Sequence, residues 1–282
     1  MKLPENLDVI IYHRDCPDGF CAAFIAQMKY PTAALVGTTY GWPVPYDAVR
    51  EKDVLVVDFS WKRDECVALQ GISKFFHILD HHITAQAELG GLPFATFDMN
   101  RSAAALTFDE LFFYEDPLVR PWYVDYVQDR DLWRWELPRS KEVSGFIMAL
   151  PHTVEAWSCL DKMTWEQAAD KGDAIRLHIE HYVEKVSAQA QWGFVNGKTV
   201  AVANAPYTNI SDVCNRLCET AEIGLGWFER GDGMMQFSLR SVGDLDVSEI
   251  AKKLGGGGHK NASGFQVSLA EGRKILDGIL NR

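Results

Sequence analysis

The sequence lacks the features that would place it in a membrane, outside the cell or in a zinc-finger class. No stretch approaches the roughly 18 consecutive apolar residues that a membrane helix needs. The first residues show no signal-peptide pattern, and the six cysteines form no CxxC pair. We therefore expect a cytoplasmic protein with reduced thiols, no membrane partner and no cysteine-based zinc site.

Positive charge is also scarce. The chain has 28 Lys and Arg against 39 Asp and Glu, which gives a formal net charge of −11 over 282 residues. This balance argues against a broad basic face that binds long duplex nucleic acid, but it allows a small anionic substrate at a local cationic site. Because 47% of the residues are hydrophobic, disorder as the main state is excluded.

Short apolar runs alternate with helical patterns in the first half of the chain. The predicted strands are 8–13, 53–59 and 74–82, and the predicted helices are 19–30, 62–70, 101–113 and 121–135. Strands that alternate with helices predict an α/β fold with a parallel sheet. Active sites of such sheets lie at the carboxyl ends of the strands, where this sequence has His13, Asp58 and Asp80.

The second half of the chain predicts a connector followed by a smaller α/β domain. Residues 164–192 form one long helical pattern with an apolar stripe, and new strand patterns begin at 198. We expect a catalytic domain over 1–150, a helical connector over 151–194 and a second domain over 195–282 that closes over the cleft.

Four groups of polar residues follow or flank the predicted strands. They are His13, Asp15 and Asp18; Asp58; Asp80, His81 and His82; and Asp129 and Asp131. Singly, each could be a helix cap, a turn residue or a surface ion pair. Together they are carboxylates and imidazoles without a thiol, a set that suits Mn²⁺ or Mg²⁺ better than structural zinc. Aspartates gathered at one sheet edge repel one another unless cations neutralise them, and two bridged divalent ions would do so.

These residues, in this order, resemble the DHH phosphoesterase superfamily. The segment GGGGH at 255–259, followed by ASGF, is similar to the C-terminal DHH-associated domain, and ILDHH at 78–82 is similar to the motif that names the superfamily. The resemblance covers about residues 8–135 and 195–282. It implies RecJ-like or nano-RNase-like enzymes, with relatives acting on cyclic dinucleotides, polyphosphate or pyrophosphate.

The resemblance also assigns roles by position. His13, Asp15, Asp18, Asp58, His81 and one of Asp129 and Asp131 are implied as ligands of two ions, Mn²⁺ first, with Asp58 as the bridge. Asp58, Asp80 and His82 are the implied catalytic residues, with His82 facing the substrate phosphate. Related sequences place the two first-motif aspartates two residues apart, whereas Asp15 and Asp18 are three apart, so Asp18 is preferred. For the last motif we prefer Asp129.

Substrate contacts are expected from both domains. Glycines allow close approach of a phosphate to backbone N–H groups, and an arginine can bind it through two hydrogen bonds. The candidates are Arg101, Ser102, Arg240, Gly256, Gly257, Gly258 and His259. A surface salt bridge is an equal interpretation for Arg101.

The function predicted from the sequence is hydrolysis of short single-stranded oligonucleotides or dinucleotides by metal-activated water. The acidic surface favours short over long substrates. Trp133 or Trp135 could stack on bases, although packing is the better interpretation of both. The alternatives are a polyphosphatase or pyrophosphatase, a cyclic-dinucleotide phosphodiesterase, and a nucleotide-binding regulator. A homodimer is left open.

Overall fold

A five-stranded parallel sheet forms the centre of the first part of the chain. The structure is a computed structural model that describes residues 3–112 and 119–281. The strands are β1 (Val9–His13), β2 (Ala34–Thr38), β3 (Asp53–Val57), β4 (Phe75–Asp80) and β5 (Ala95–Phe97). Their order in the sheet is β2-β1-β3-β4-β5, and all neighbours are parallel. The predicted α/β class is confirmed.

Helices cover both faces of this sheet. They are α1 (Pro17–Lys29), α2 (Tyr46–Val49), α3 (Arg63–Ile72), α4 (Ile83–Leu89), α5 (Ala103–Phe112), α6 (Trp122–Asp131), α7 (Ser140–Ala149), α8 (Val154–Trp157) and α9 (Trp165–Ser187). The last predicted residue of the helix at 101–113, Phe113, lies outside the described residues. Among the described residues, none of these helices combines the length and the apolar character that crossing a bilayer requires.

Alternate residues of the strands supply the two cores of the first sheet. Ile10, Leu55 and Leu79 pack on the side of α1 and α5, whereas Ile11 and Val56 pack on the side of α3. Strands that are buried on both faces are continuous apolar runs, which is why the sequence pattern identified them. The strands β2 and β5 are not among the predicted ones, because both are only partly buried.

Small side chains are frequent in α1 and α5, which pack against each other. Both helices have three fully buried alanines; they are Ala22, Ala23 and Ala26 in α1 and Ala103, Ala104 and Ala105 in α5. Side chains of this size let two helix backbones approach closely. The N-terminus of α5 is thereby held next to the start of α1.

A six-stranded mixed sheet forms the second part. The chain divides into two units, Met1–Arg176 and Leu177–Arg282, with the boundary inside α9. The elements of the second sheet and its helices are β6 (Gln191–Val195), β7 (Lys198–Asn204), α10 (Ile210–Leu217), β8 (Ile223–Glu229), β9 (Met234–Ser241), α11 (Ser248–Lys253), β10 (Gly257–His259), β11 (Ala262–Ser268) and α12 (Leu269–Leu280). The strand order is β10-β11-β9-β8-β7-β6.

One boundary in this part differs from the sequence prediction. The long helix ends at Ser187 rather than at 192, because Gln191 and Trp192 pair with β7 as part of β6. In the glycine segment, Gly257–His259 pairs with β11 as the edge strand of the sheet.

Candidate metal centre

The polar residues predicted at the strand ends lie together at one edge of the first sheet. His13 is the last residue of β1, Asp58 follows β3, and Asp80 is the last residue of β4. The strand order reverses between β1 and β3, and ligands of open α/β sheets bind at such a reversal. The fold therefore places these side chains where a ligand site is expected.

The imidazole of His81 lies at the centre of three carboxylates. Its Nε2 atom is 3.5 Å from Asp18 Oδ2, 3.3 Å from Asp58 Oδ1 and 3.5 Å from Asp131 Oδ2. On the other side of Asp58, Oδ2 is 3.5 Å from His13 Nδ1. These separations exceed those of ordinary N–H···O hydrogen bonds, but they suit ligands arranged around a cation. Asp58 is shared by the two sides of the site.

Asp58 occupies a backbone conformation that is uncommon for residues other than glycine. Its φ of 57° lies in the left-handed region, and its side chain is 1% exposed. Strained backbone of this kind costs on the order of 1–3 kcal/mol and concentrates at functional sites. The conformation turns the chain at the end of β3 and directs the carboxylate into the site.

Gly19 is required where α1 passes over Asp58. A Cβ atom at this position would lie 2.5 Å from the His13 carbonyl oxygen and 2.9 Å from Asp58 Oδ2. Any side chain would therefore separate the start of α1 from the two metal-ligand candidates.

Replacement of Gly19 by alanine is expected to destabilise the protein by about 1–3 kcal/mol, the usual cost of overpacking, and to weaken metal binding. Urea unfolding and metal titration would measure the two effects. Gly71→Ala in α3 is the matched control, because no described atom lies within 4 Å of a Cβ there. Stability and metal affinity as in the unchanged protein would show that the close approach is not required.

The helix α5 holds Asp18. Its carboxylate accepts hydrogen bonds from the backbone N–H groups of Ala103, at 2.6 Å, and Ala104, at 3.0 Å. The N-terminus of a helix stabilises a negative charge, so the orientation of Asp18 is fixed before any ion binds.

Asp80 and His82 form a second hydrogen-bonded unit. Asp80 Oδ1 accepts hydrogen bonds from the backbone N–H groups of His81, at 2.7 Å, and His82, at 3.2 Å. The same oxygen is 2.7 Å from His82 Nδ1. Asp80 thus fixes both the DHH turn and the plane of the His82 ring.

The carboxylates of the site have strongly shifted pKa values because they are buried together. Burial raises the pKa of Asp18 to about 8, with added repulsion from Asp131 and Asp58. Burial also raises the pKa of Asp131. Burial acts in the same direction on Asp58, but His13 and His81 outweigh it and hold the pKa of Asp58 well below its usual range. The three carboxylates would carry full charge together only with added positive charge.

The residues present fit divalent metal ions. Several buried atoms have no hydrogen-bond partner among the described residues: His13 Nδ1, Asp58 Oδ1 and Oδ2, Asp80 Oδ2 and Asp131 Oδ2. Buried polar atoms without partners are costly, and a cation would satisfy these atoms together. Three groups each place their ligand atoms within 4.8 Å of one another; they are the His13 group (His13, Cys16, Asp58), the His81 group (Asp18, His81, Asp131) and the His82 group (Asp58, Asp80, His82).

The structure brings Asp131, rather than the preferred Asp129, close to His81. Asp129 lies outside the three groups, and its oxygens accept hydrogen bonds from the backbone of Glu136, at 3.0 Å, and the hydroxyl of Ser140, at 2.5 Å. It anchors the loop after α6. Asp131, two residues further on, faces His81.

Asparagine or alanine substitutions should separate these two roles. Asp129→Ala is expected to cost about 1–3 kcal/mol of stability, because buried donors lose their acceptor, while the metal-free site keeps its ligands. Asp131→Asn is expected to leave stability nearly unchanged and to weaken metal binding by at least about 10-fold, since even residues outside the ligand shell contribute that much. Urea unfolding and calorimetric metal titration distinguish them, and the reverse result would restore Asp129 as the ligand.

Asp15 is not part of the three groups. Its side chain is 65% exposed, and its Oδ2 lies 3.5 Å from Arg14 Nε. Its φ of 59° turns the chain between β1 and α1. The residue that lies in the site instead is Cys16, which the sequence analysis did not include. The signal was available: Cys16 is two residues before Asp18, the spacing at which related sequences have an aspartate.

Two predicted substrate contacts in the first unit have structural roles. Ser102 is fully buried, and its hydroxyl accepts a hydrogen bond from Ala105 N at 3.3 Å, so it caps α5 rather than facing a substrate. Arg101 pairs with Asp98 at 2.7 Å and Asp109 at 2.9 Å, which is the salt-bridge alternative.

The predicted contacts of the second unit lie on β9 and at β10. Arg240 donates hydrogen bonds to Ser211 Oγ at 2.7 Å and to the Leu239 carbonyl at 2.8 Å. A Cβ at Gly256 would lie 2.1 Å from the Gly264 carbonyl oxygen, and Gly258 has a φ of 134°. The sheet edge therefore needs these glycines for its own packing. Substrate contact by Arg240, Gly256, Gly257, Gly258 and His259 stays a prediction.

Known proteins are similar to this chain in both sequence and fold. Residues 196–281 match the DHHA1 domain family. The chain is 30% identical to the uncharacterized protein R106 of Acanthamoeba polyphaga mimivirus, covering 95% of this chain and 69% of that protein. It is 25% identical to the oligoribonuclease NrnB of Bacillus subtilis (strain 168), covering 68% of this chain and 52% of NrnB.

Solved structures share the fold at low sequence identity. RecJ from Thermus thermophilus, solved in complex with Mn²⁺, has a TM-score of 0.55 and 15% identity, covering 98% of this chain and 52% of RecJ. The pGpG-specific phosphodiesterase PggH from Vibrio cholerae has a TM-score of 0.52 and 12% identity, covering 97% of this chain and 98% of PggH.

The fold and the site together define an enzyme of the phosphoesterase class. The chain belongs to the DHH phosphoesterase superfamily, as its sequence motifs suggested.

Proposed function

We propose that this protein is a metal-dependent phosphodiesterase that hydrolyses short single-stranded oligonucleotides or dinucleotides. The observation that carries the proposal is the buried Asp58 carboxylate, whose oxygens face His13 on one side and His81 on the other. A shared carboxylate suits a bridge between two divalent ions, with Mn²⁺ as the ion that the family resemblance favours. Such ions, when bound, supply Lewis-acid stabilisation and lower the pKa of water.

The residues of this chain would hold the ions and move a proton. The His13 and His81 groups would hold one ion each, with Asp58 common to both. Burial lowers the pKa of His82, but Asp80 outweighs it and raises that pKa. Asp80 thus favours the protonated form of the His82 ring, and because Nδ1 faces Asp80, Nε2 is the atom suited to pass a proton to a leaving oxygen.

Exposed aromatic rings beside His13 support a nucleotide over polyphosphate as substrate. Tyr40 is 46% exposed and Trp42 is 43% exposed. The Tyr40 ring is centred 5.7 Å from the His13 ring and 4.6 Å from that of Phe59. The guanidinium of Arg14 lies 5.1 Å from the centre of the Trp42 ring. Rings of this kind stack on bases without regard to sequence, which polyphosphate does not need.

The aromatic rings predicted at 133 and 135 are less suited to stacking. Trp133 and Trp135 are half-buried and contact each other, with ring centres 4.9 Å apart, whereas Trp42 is exposed. The mutual contact agrees with the packing interpretation of the two tryptophans.

Charge and the names of similar proteins also support short nucleotides. Each phosphate contact of a long strand needs a cation, and the chain has a formal net charge of −11. NrnB is named an oligoribonuclease and PggH a pGpG-specific phosphodiesterase. We include His259 and Arg240 in the proposal as phosphate contacts.

A substrate panel tests the proposal. The purified protein with Mn²⁺ should be given labelled dinucleotides, a long single strand, cyclic dinucleotides and polyphosphate, and initial rates should be compared at matched concentrations of cleavable phosphorus–oxygen linkages. We expect the highest kcat/KM for the dinucleotides. Cleavage of polyphosphate alone, or of cyclic dinucleotides alone, would contradict the substrate assignment.

Trp42→Ala tests the stacking surface separately. We expect KM for a dinucleotide to rise by about 5- to 150-fold, which corresponds to the roughly 1–3 kcal/mol of one base–aromatic contact. Trp192→Ala is a matched control, because Trp192 is 55% exposed and lies on β6. An unchanged KM in the Trp42 variant would remove this surface from the substrate site.

A further inference from the structure

Cys16 lies among the residues of the metal centre. It is the residue before α1, and its side chain is half-buried. Its sulfur, a His13 ring nitrogen and an Asp58 oxygen all lie within 4.8 Å of one another. The fold therefore adds a thiol to the carboxylates and imidazoles that the sequence predicts as metal ligands.

The two side chains next to this sulfur, Asp58 and His13, have polar atoms that a cation would satisfy. Asp58 is 1% exposed, and neither of its oxygens has a hydrogen-bond partner among the described residues. His13 Nδ1 is also without a hydrogen-bond partner in that part of the chain. A thiol is a weak donor with a single hydrogen, so it cannot satisfy these atoms by itself. A cation between the three side chains would satisfy them together.

The start of α1 fixes the position of Cys16. Pro17 and the following residues begin a helix of 13 residues, and Cys16 occupies the cap position at its N-terminus. Burial, with repulsion from Asp58 and other nearby carboxylates, raises the pKa of the Cys16 thiol well above its usual range, so the thiolate form needs added positive charge, which a bound cation would supply. Asp18, two residues further on, belongs to the His81 group. Residues 16–18 therefore contribute to both the His13 group and the His81 group.

We propose that the Cys16 thiolate is a metal ligand together with His13 and Asp58, and that it makes the His13 group selective for a thiophilic divalent ion. A sulfur, nitrogen and oxygen set favours Zn²⁺, Co²⁺ or Fe²⁺ over Mg²⁺, whereas the His81 group has only oxygen and nitrogen ligands. The inference rests on the proposed function only for the presence of metal in the centre.

Cobalt spectroscopy tests the ligand directly. The metal-free protein should be titrated with Co²⁺ and followed by absorption in the near ultraviolet, where a cobalt–thiolate bond gives a charge-transfer band. We expect the band in the unchanged protein and in Cys159→Ser, a half-buried cysteine outside the three groups, but not in Cys16→Ser. We also expect Cys16→Ser to lose at least about 10-fold in Co²⁺ affinity relative to Mg²⁺ affinity. A band that persists in Cys16→Ser, or that is absent when the unchanged protein has bound Co²⁺, would overturn the proposal.

Alkylation of the unchanged protein keeps the test decisive if the variant does not fold. Mass spectrometry after iodoacetamide treatment should show that Co²⁺ protects Cys16 while the labelling of Cys159 and Cys218 stays the same. Equal labelling of Cys16 with and without bound Co²⁺ would contradict the inference. A protein that shows the band but hydrolyses no phosphodiester would contradict the proposed function and leave the thiolate ligand in place.

Discussion

Asp58→Asn is expected to abolish hydrolysis and to remove most divalent metal binding. The substitution keeps the shape of the side chain but deletes the charge that faces both His13 and His81. Asparagine also tolerates the φ of 57° at this position, so the backbone turn should be retained. We expect the phosphodiesterase rate to fall by more than about 100-fold, since even outer-shell partners of metal ligands contribute up to that factor.

Metal-dependent stability provides the second measurement for Asp58→Asn. A ligand present at about 100 times its Kd stabilises a folded protein by about 2.7 kcal/mol, so Mn²⁺ should raise the melting temperature of the unchanged protein clearly and that of the variant little. Asp53→Asn is the control, because Asp53 begins the same strand at its opposite end. Full activity in a folded Asp58→Asn protein would refute a shared carboxylate ligand.

Without metal, the protein is expected to lose stability as the pH rises from about 5 to about 8. The pKa of Asp18 is raised to about 8 by burial and by neighbouring carboxylates, and that of Asp131 is raised as well. A group whose pKa is higher in the folded state binds its proton more tightly there, so its stabilising effect is complete at low pH and is lost as the pH rises through the folded pKa. The imidazole of His81, whose pKa is raised by the same carboxylates despite burial, acts with the same sign.

Thermal unfolding from pH 5 to pH 8 in EDTA and in Mn²⁺ measures this effect. With Mn²⁺, deprotonated ligands are favoured, so stability should hold or increase over the same range. Asp58 changes stability in the opposite direction, because its pKa is lowered in the folded state. Its stabilising effect is lost only as the pH falls below this range. Asp18→Asn should flatten the EDTA curve. A metal-free protein whose stability rises steadily to pH 8 would show that the carboxylates are not coupled in this way.

Sequence patterns were sufficient for the centre of the fold because its strands are buried on both faces. Apolar runs that end on His13, Asp58 and Asp80 identified three adjacent strands, and parallel pairing then placed these residues at one edge. Strands β2 and β5 gave no such signal, since they have few buried residues. The stacking candidates Tyr40 and Trp42 were missed with β2, which they follow.

The choice between neighbouring aspartates needed the structure. Asp129 and Asp131 lie two residues apart in the last turn of α6, so their side chains leave the helix on different faces, and the sequence does not show which face meets His81. The residues that follow α6 distinguish the two aspartates, because the backbone N–H of Glu136 and the hydroxyl of Ser140 donate hydrogen bonds to Asp129. At Cys16, likewise, the sequence analysis predicts only an ordinary reduced thiol, and the two-residue spacing to Asp18 is the signal that it leaves unused.

The packing of α1 against α5 has a consequence for mutational tolerance. Asp18 is carried by one helix and accepts hydrogen bonds from the first N–H groups of the other, so the interhelical distance sets the position of its carboxylate. Enlarging one of the fully buried alanines of either helix would overpack this core and shift the carboxylate. Substitutions that weaken metal affinity are therefore expected at these apolar positions as well as at the titratable residues of the candidate metal centre.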